Sequence, residues 1–388
     1  MKRLFWALAA ALMMFAPAAL AQTAQEITDT CTLSAVGKKT LGRMTDGQYQ
    51  TYWASSSGSY AYVEIEAEEA VGGLYVQFYE DIAALEVQTK DDAGAWRTVA
   101  VSGGSFLNEY MALDAGTETV RIRPKDGKGR LFIAELHIFG EGDAPDWVQQ
   151  WEAPLEKADL LALAAHPDDE LLFLGGTIPY YAGEMGRKVQ VAYLVPTMPY
   201  RRLELLDGLW LCGVKNYPMI GHFPDKYQLT LKGMYAQKGW SRESVYRFVA
   251  ETYRACRPDV VVTQDVNGEY GHGAHRAAAD AAQAAIALAA DEKYQEKMTH
   301  SEPWQVKKLY LHLYEQNPVK MDWRKPLATF GGQTAFDLAS RAFECHISQQ
   351  RTDYHVEDFG PYDNSKFGLA YSAVGEDVQK DDFFENLE

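Results

Sequence analysis

The sequence predicts an α/β domain with a Rossmann-like, mostly parallel sheet, preceded by an antiparallel β-sandwich. Three observations predict it. Before about Gly140, short β-rich runs alternate with turn clusters; after Ala158, strands alternate regularly with helices; and the run Asp159 to Ala165, nearly all apolar, stops at a cluster of histidine and carboxylates.

The first half is read from Cys31 onward. Tyr60–Ala67, Gly73–Tyr79, Ala84–Thr89, Trp96–Val101, Thr119–Pro124 and Leu131–Phe139 alternate apolar with polar residues or concentrate β-branched and aromatic ones. Turn clusters such as Asp91-Asp92-Ala93-Gly94 and Lys125-Asp126-Gly127-Lys128-Gly129 separate them, as in a sandwich of short strands. Tyr52 and Trp53 are weighed both as sugar-stacking aromatics and as core. Ahead of this region, Lys2 and Arg3 precede the apolar run Leu4 to Ala16 and the small-residue pattern Ala19-Leu20-Ala21. That order predicts a secretory signal over residues 1–21, in a run too short to span a bilayer. The expected location is therefore secreted or in the cell envelope, with no membrane insertion after cleavage.

The second half opens after a Pro-containing linker, Gly140 to Lys157, so the division expected is 22–145 and 146–388. The Asp159–Ala165 run suits a strand buried on both faces. Glu170–Gly186 is expected as a helix, Lys188–Val195 as a strand and Arg201–Gly213 as a helix. Tyr217–Gly221 reads as a short strand, Arg242–Cys256 as a helix and Asp259–Gln264 as a strand. Ala274–Ala290 is an alanine-rich helix and Lys307–Leu313 a further strand. In the acidic tail 353–388, Phe367-Gly368-Leu369-Ala370-Tyr371 and Phe383-Phe384 suggest packing on the domain, against the alternative of a flexible end.

Net charge is −17, and −19 once Lys2 and Arg3 leave with the signal. A surface so acidic repels nucleic acid and anionic lipid, and neither is expected as a partner. Cys31, Cys212, Cys256 and Cys345 lie far apart with no Cys-x-x-Cys pair, which argues against a thiolate zinc cluster and for free thiols.

Open α/β sheets bind ligands beyond the carboxyl ends of their strands. His166-Pro167-Asp168-Asp169-Glu170 follows the first strand of this half directly. The strand Asp259–Gln264 leads through Asp265 to Glu269-Tyr270-Gly271-His272-Gly273-Ala274-His275, where two histidines three apart project to one side of a helix start. If the two strands are neighbours, His166, Asp169 and one later histidine form a two-histidine, one-carboxylate site with open positions. That set suits a catalytic Zn2+, and Fe2+ takes a similar one.

Ala165-His166-Pro167-Asp168-Asp169-Glu170 with Gly175-Gly176, and Gly271-His272-x-x-His275 downstream, resembles the LmbE/PIG-L family of N-acetylglucosaminyl deacetylases. The resemblance runs from about Ala158 to Gln350. It implies His166, Asp169 and His275 as zinc ligands and Asp168 as general base. His272 would stabilise the oxyanion or protonate the leaving amine, Tyr270 would assist at the carbonyl oxygen, and Arg201 and Asp225 would contact the sugar. It implies a structural helix over Ala342–Gln349. Ala274 stands where the family often carries Asp, so the partner of His275 must come from elsewhere, with Asp265 and Glu269 as candidates. Pro196-Thr197-Met198-Pro199 replaces the usual pocket-shaping loop. Met44-Thr45-Asp46-Gly47 through Trp53, with the closing Ile133–Phe139 strand, resembles discoidin-like, galactose-binding jelly-roll modules. The expected function is zinc-dependent hydrolysis of the N-acetyl amide of a sugar or glycan, with a glycan as a further ligand of the first module. Two alternatives stay open: a glycan-binding protein with an inactive deacetylase domain, and an amidase for a non-acetyl amide.

Overall fold

The computed structural model describes residues 22–37, 40–80, 84–300, 302–350 and 353–387; the signal expected over 1–21 lies outside them. The first half is one antiparallel sheet of β1 (Thr32–Ser34), β2 (Trp53–Ala54), β3 (Val63–Phe78), β4 (Leu85–Lys90), β5 (Trp96–Val101), β6 (Asn108–Pro124) and β7 (Phe132–Phe139). Its order is β2-β7-β3-β6-β4-β5, with β1 on the free side of β3. The two runs expected at 60–67 and 73–79 are a single strand, β3. Register shifts between Glu66, Val71 and Gly73 bend it, so its two ends pair with β1 and β7 respectively while both pair with β6.

The burial of β3 follows from that bend. Val63 and Ile65 point inward and alternate with more exposed Glu64 and Glu66, whereas Gly73 to Phe78 is buried almost throughout. The second half is covered on both faces, by the sheet's own core and by the next domain. Tyr49 bonds Asp207 across that seam, and beside it Gln149 and Trp151 of the linker meet Asp207 and Trp210, the two indoles edge-on at 5.3 Å. Trp53 is fully buried and Tyr52 stacks on Tyr79 at 4.2 Å. Trp53 is thus core, and Tyr52 is half-covered by its neighbour.

The second half carries β8 (Leu160–Ala164), β9 (Val189–Tyr193), β10 (Met219–Ile220), β11 (Val260–Thr263), β12 (Lys308–His312), β13 (Pro318–Lys320) and β14 (Lys366–Ser372), in the order β10-β9-β8-β11-β12-β14-β13. Pairing is parallel from β10 to β12, but β14 runs antiparallel to both β12 and β13, so the sheet is mixed. The acidic tail supplies β14, and buried Asp377 bonds Lys308 and Tyr310 at 2.5 Å each, so the tail is packed. The helices are α1 (Asp169–Leu172), α2 (Pro199–Leu211), α3 (Leu231–Tyr235), α4 (Arg242–Cys256), α5 (Gly273–Ala290) and α6 (Ala335–Glu344). None of the described helices is long and apolar enough to cross a membrane. All four cysteines are free, with Cys212 and Cys256 buried.

The helix expected over Glu170–Gly186 is broken. α1 ends after one turn because Gly175 takes φ +57°, and a side chain there would meet Asn364 at 2.6 Å. The chain resumes as a π-helical turn at Pro179–Glu184. The connections from β8 run to β9 and β10 on one side and return to β11 on the other. The carboxyl ends of β8 and β11 therefore flank the topological switch point, where such sheets leave a crevice.

Candidate active site

Two side-chain-to-backbone bonds hold the switch point together. Gln264 Oε1 accepts the Ala165 N–H at 2.9 Å, and Thr263 Oγ1 donates to the Leu163 carbonyl at 2.7 Å. They place His166 and its acidic neighbours opposite the 265–275 segment. Asp168 holds φ 110° ahead of α1, a conformation non-glycine residues avoid, and Tyr270 is left-handed at φ 43°. Strained backbone therefore presents two of the side chains expected to do chemistry.

The three histidines and two aspartates do converge. Asp169 Oδ2 accepts the His166 backbone N–H at 2.8 Å and lies 3.0 Å from His166 Nδ1 and 3.3 Å from His275 Nε2. Donor atoms of His166, His272 and His275 all lie within 4.8 Å of one another. Bonds of about 2.0–2.1 Å put tetrahedral zinc ligands roughly 3.3 Å apart, so these separations fit a small divalent cation. His272 belongs to this group by distance, although the sequence reading kept it apart as an acid. His272 Nδ1 is buried without a partner.

The partner of His275 is Glu269. Its Oε2 meets His275 Nδ1 at 2.8 Å and its Oε1 meets His312 Nδ1 at 2.6 Å, while His312 Nε2 faces the Asp363 carbonyl at 3.2 Å. Asp265 turns instead to Asn267. His312 was missed by sequence reasoning. It ends β12, the next strand after β11, and the strand-end rule could have found it.

Arg201 on α2 donates from Nη2 to Asp168 Oδ2 at 2.8 Å and to the Pro167 carbonyl at 2.7 Å. Asp225 stands at the mouth, its side chain 57% exposed and 3.8 Å from His166 Nε2. Tyr270 Oη lies 3.4 Å from His275 Nε2. The resulting cavity holds about 180 Å³ and is lined by His166, Asp168, Asp169, Arg201, Asp225, Tyr270 and His272, with Phe343, Gln349 and Tyr354 closing one side. The Pro196–Pro199 segment supplies none of this lining. The expected late helix at 342–349 is the end of α6 followed by a short turn, where Ser348 binds both oxygens of Glu204.

The electrostatics separate the adjacent aspartates. Burial, then the Asp169 charge, pushes Asp168 up to about 7 against the pull of Arg201. Burial also opposes ionisation of Asp169, but His275 and His166 outweigh it and hold that carboxyl well below the usual range. Burial, followed by the neighbouring His166 and His275, lowers His272 to about 3. Glu269, despite its burial, is held to about 2 by His275 and His312. A ligand needs a carboxylate that stays ionised and a proton acceptor one that titrates near neutrality, and the two environments separate the pair in that direction.

Residues 161–286 match the family described as PIG-L: GlcNAc-PI de-N-acetylase. This segment is similar to the PIG-L family. Among its relatives, a 1D-myo-inositol 2-acetamido-2-deoxy-alpha-D-glucopyranoside deacetylase of Kineococcus radiotolerans is 30% identical over 222 residues, 48% of this chain and 61% of that protein. The chain spans between half and two thirds of the length of the first such relatives. The conserved protein TT1542 of Thermus thermophilus overlaps 50% of this chain and 80% of its own at 25% identity and TM-score 0.38. An F5/8 type C domain from Bacteroides fragilis overlaps 31% of this chain and 96% of its own at 16% identity and TM-score 0.25. The matched segment begins in β8 and ends within α5, and it contains both site motifs.

Proposed function

We propose that this protein is an exported, metal-dependent hydrolase that removes the acetyl group from an N-acetylated sugar, with Zn2+ or Fe2+ at the His166–Asp169–His275 cluster. The observation that carries the reading is Asp169 Oδ2 lying between His166 Nδ1 and His275 Nε2 while Asp168, next in the chain, is turned away onto Arg201. The named activity of the relatives, deacetylation of an acetamido sugar, supports the bond and the substrate class.

When bound, the cation supplies Lewis acidity toward the amide carbonyl and the attacking water. The remaining work falls to side chains. Asp168 accepts the proton of the attacking water, and Arg201 fixes its carboxylate by the Nη2 bond. His272 and Tyr270, which line the same cavity, stabilise charge on the carbonyl oxygen as it goes tetrahedral. The nitrogen leaves only after gaining a proton, passed from Asp168. Asp225 at the mouth and Arg201 within are placed to meet sugar hydroxyls. The antiparallel sheet is proposed as a discoidin-like module.

Acetate release from N-acetylglucosamine, its oligomers and N-acyl analogues, before and after chelation, tests this. The reading expects acetate from an acetylated sugar, loss on chelation and recovery with Zn2+ or Fe2+. Turnover that survives exhaustive metal removal, or a preference for a non-acetyl amide, would overturn it.

A further inference from the structure

A larger cavity than the active site lies in the seam between the two domains. It encloses about 830 Å³ and shares no lining residue with the 180 Å³ site. Ligand pockets run to about 300–1,000 Å³, favour domain interfaces, and combine aromatic walls with a few placed polar groups. This cleft has both.

The aromatic wall comes from the linker and from α2. Trp147 is 46% exposed and is held by ring contacts to His137 at 5.0 Å and Tyr75 at 5.9 Å. Trp210 faces it from α2, with Lys215 Nζ 3.2 Å from its ring centroid and its Nε1 tied to the Asp146 carbonyl. Trp147 stays nearly half exposed despite those ring contacts.

The polar floor is Asp207. Tyr49 Oη donates to its Oδ2 at 2.7 Å and Gln149 Nε2 to its Oδ1 at 2.5 Å. A carboxylate offers about four acceptor sites, so two stay open on a side chain that lines the cleft. Arg341, at the rim, extends a cationic donor beside Gln333 at 2.6 Å. Asp207 takes no part in the hydrolysis, since it lies six residues beyond Arg201 on α2, roughly 9 Å along the helix.

We propose that this interdomain cleft is a second binding site, for a neutral saccharide. The apolar face of a pyranose packs on Trp147, and its hydroxyls donate to Asp207 and accept from Arg341. Both domains contribute, so the site exists only in the full chain. It does not depend on the deacetylase reading.

Calorimetric titration of the full chain with cellotetraose, β-1,4-galactotetraose and tetra-N-acetylchitotetraose tests it; the first two carry no acetamide and cannot be substrates of the proposed reaction. The proposal expects saturable binding of at least one tetrasaccharide. Trp147→Ala should weaken that binding at least tenfold, and Arg341→Ala, at an exposed position, should weaken it several-fold. His166→Ala should leave it unchanged. Binding by none of the three, or binding that survives both cleft substitutions, would overturn the proposal. Acetate release from N-acetylglucosamine reports separately on the deacetylase reading.

Discussion

Arg201 binds Asp168 Oδ2 at 2.8 Å and the Pro167 carbonyl at 2.7 Å, so one guanidinium holds both the proposed base and the turn that presents it. Asp168 carries φ 110° at that turn, and α2 reaches across the switch point to brace it. The arginine sets the direction of the carboxylate and also favours its ionised form.

Arg201→Ala should therefore lower kcat by up to about 10²-fold, the loss expected when a reacting group drifts by about an ångström. It should also move the low-pH limb of kcat/KM upward, because the cation that lowers Asp168 is gone. A pH–rate profile of wild type and variant reads both effects. A rate loss with an unmoved limb would leave Arg201 with the sugar alone.

Glu269 joins His275 to His312 at 2.8 and 2.6 Å inside the protein. Partners of this kind orient a metal-binding imidazole, and their loss typically costs about 10–100-fold in affinity. Glu269→Gln should weaken metal binding within that range, measured by competition with a chromophoric chelator. Affinity equal to wild type would remove Glu269 from the support of the site.

Much of this was legible in the chain. The all-apolar β8 ending at His166, and the His272-x-x-His275 spacing at the start of α5, placed the site because strand ends and helix starts are local features. The partner of His275 was narrowed to two residues, and only the fold separated Glu269 from Asp265. His312 stayed hidden because its role needs the β11–β12 pairing, which no short spacing encodes. β3 was split in two because its bulge interrupts the alternation that marks a strand. β14 was left within the tail, since an antiparallel return to a parallel sheet is decided by distant packing on β12. The broken helix after Glu170 reflects Gly175 against Asn364, a contact almost two hundred residues apart in sequence.

The buried carboxyls set the acid–base behaviour of the metal-free fold. Glu170 is wholly buried, and burial followed by the Asp168 charge pushes it up to about 8; Asp168 itself is raised to about 7. An unfolded Glu titrates near about 4.3, so the folded state holds these protons more tightly. Their contribution to stability is full below about pH 4 and is lost as pH rises through 7 to 8. Thermal melts of metal-free protein should show Tm falling over that window, and Glu170→Gln should flatten the fall. A Tm that rises steadily from pH 5 to 8 in the metal-free wild type would contradict this.

The central claim is that adjacent aspartates divide the labour, Asp169 holding the metal and Asp168 moving the proton. Metal content and acetate release measured together on Asp168→Asn, with Asp169→Asn as its counterpart, test it most directly. The account predicts near wild-type metal occupancy in Asp168→Asn with turnover reduced by roughly 10²- to 10⁴-fold, the range for losing a general base. It predicts depleted metal in Asp169→Asn. An Asp168→Asn protein that loses its metal, or one that keeps its metal and wild-type turnover, would contradict it.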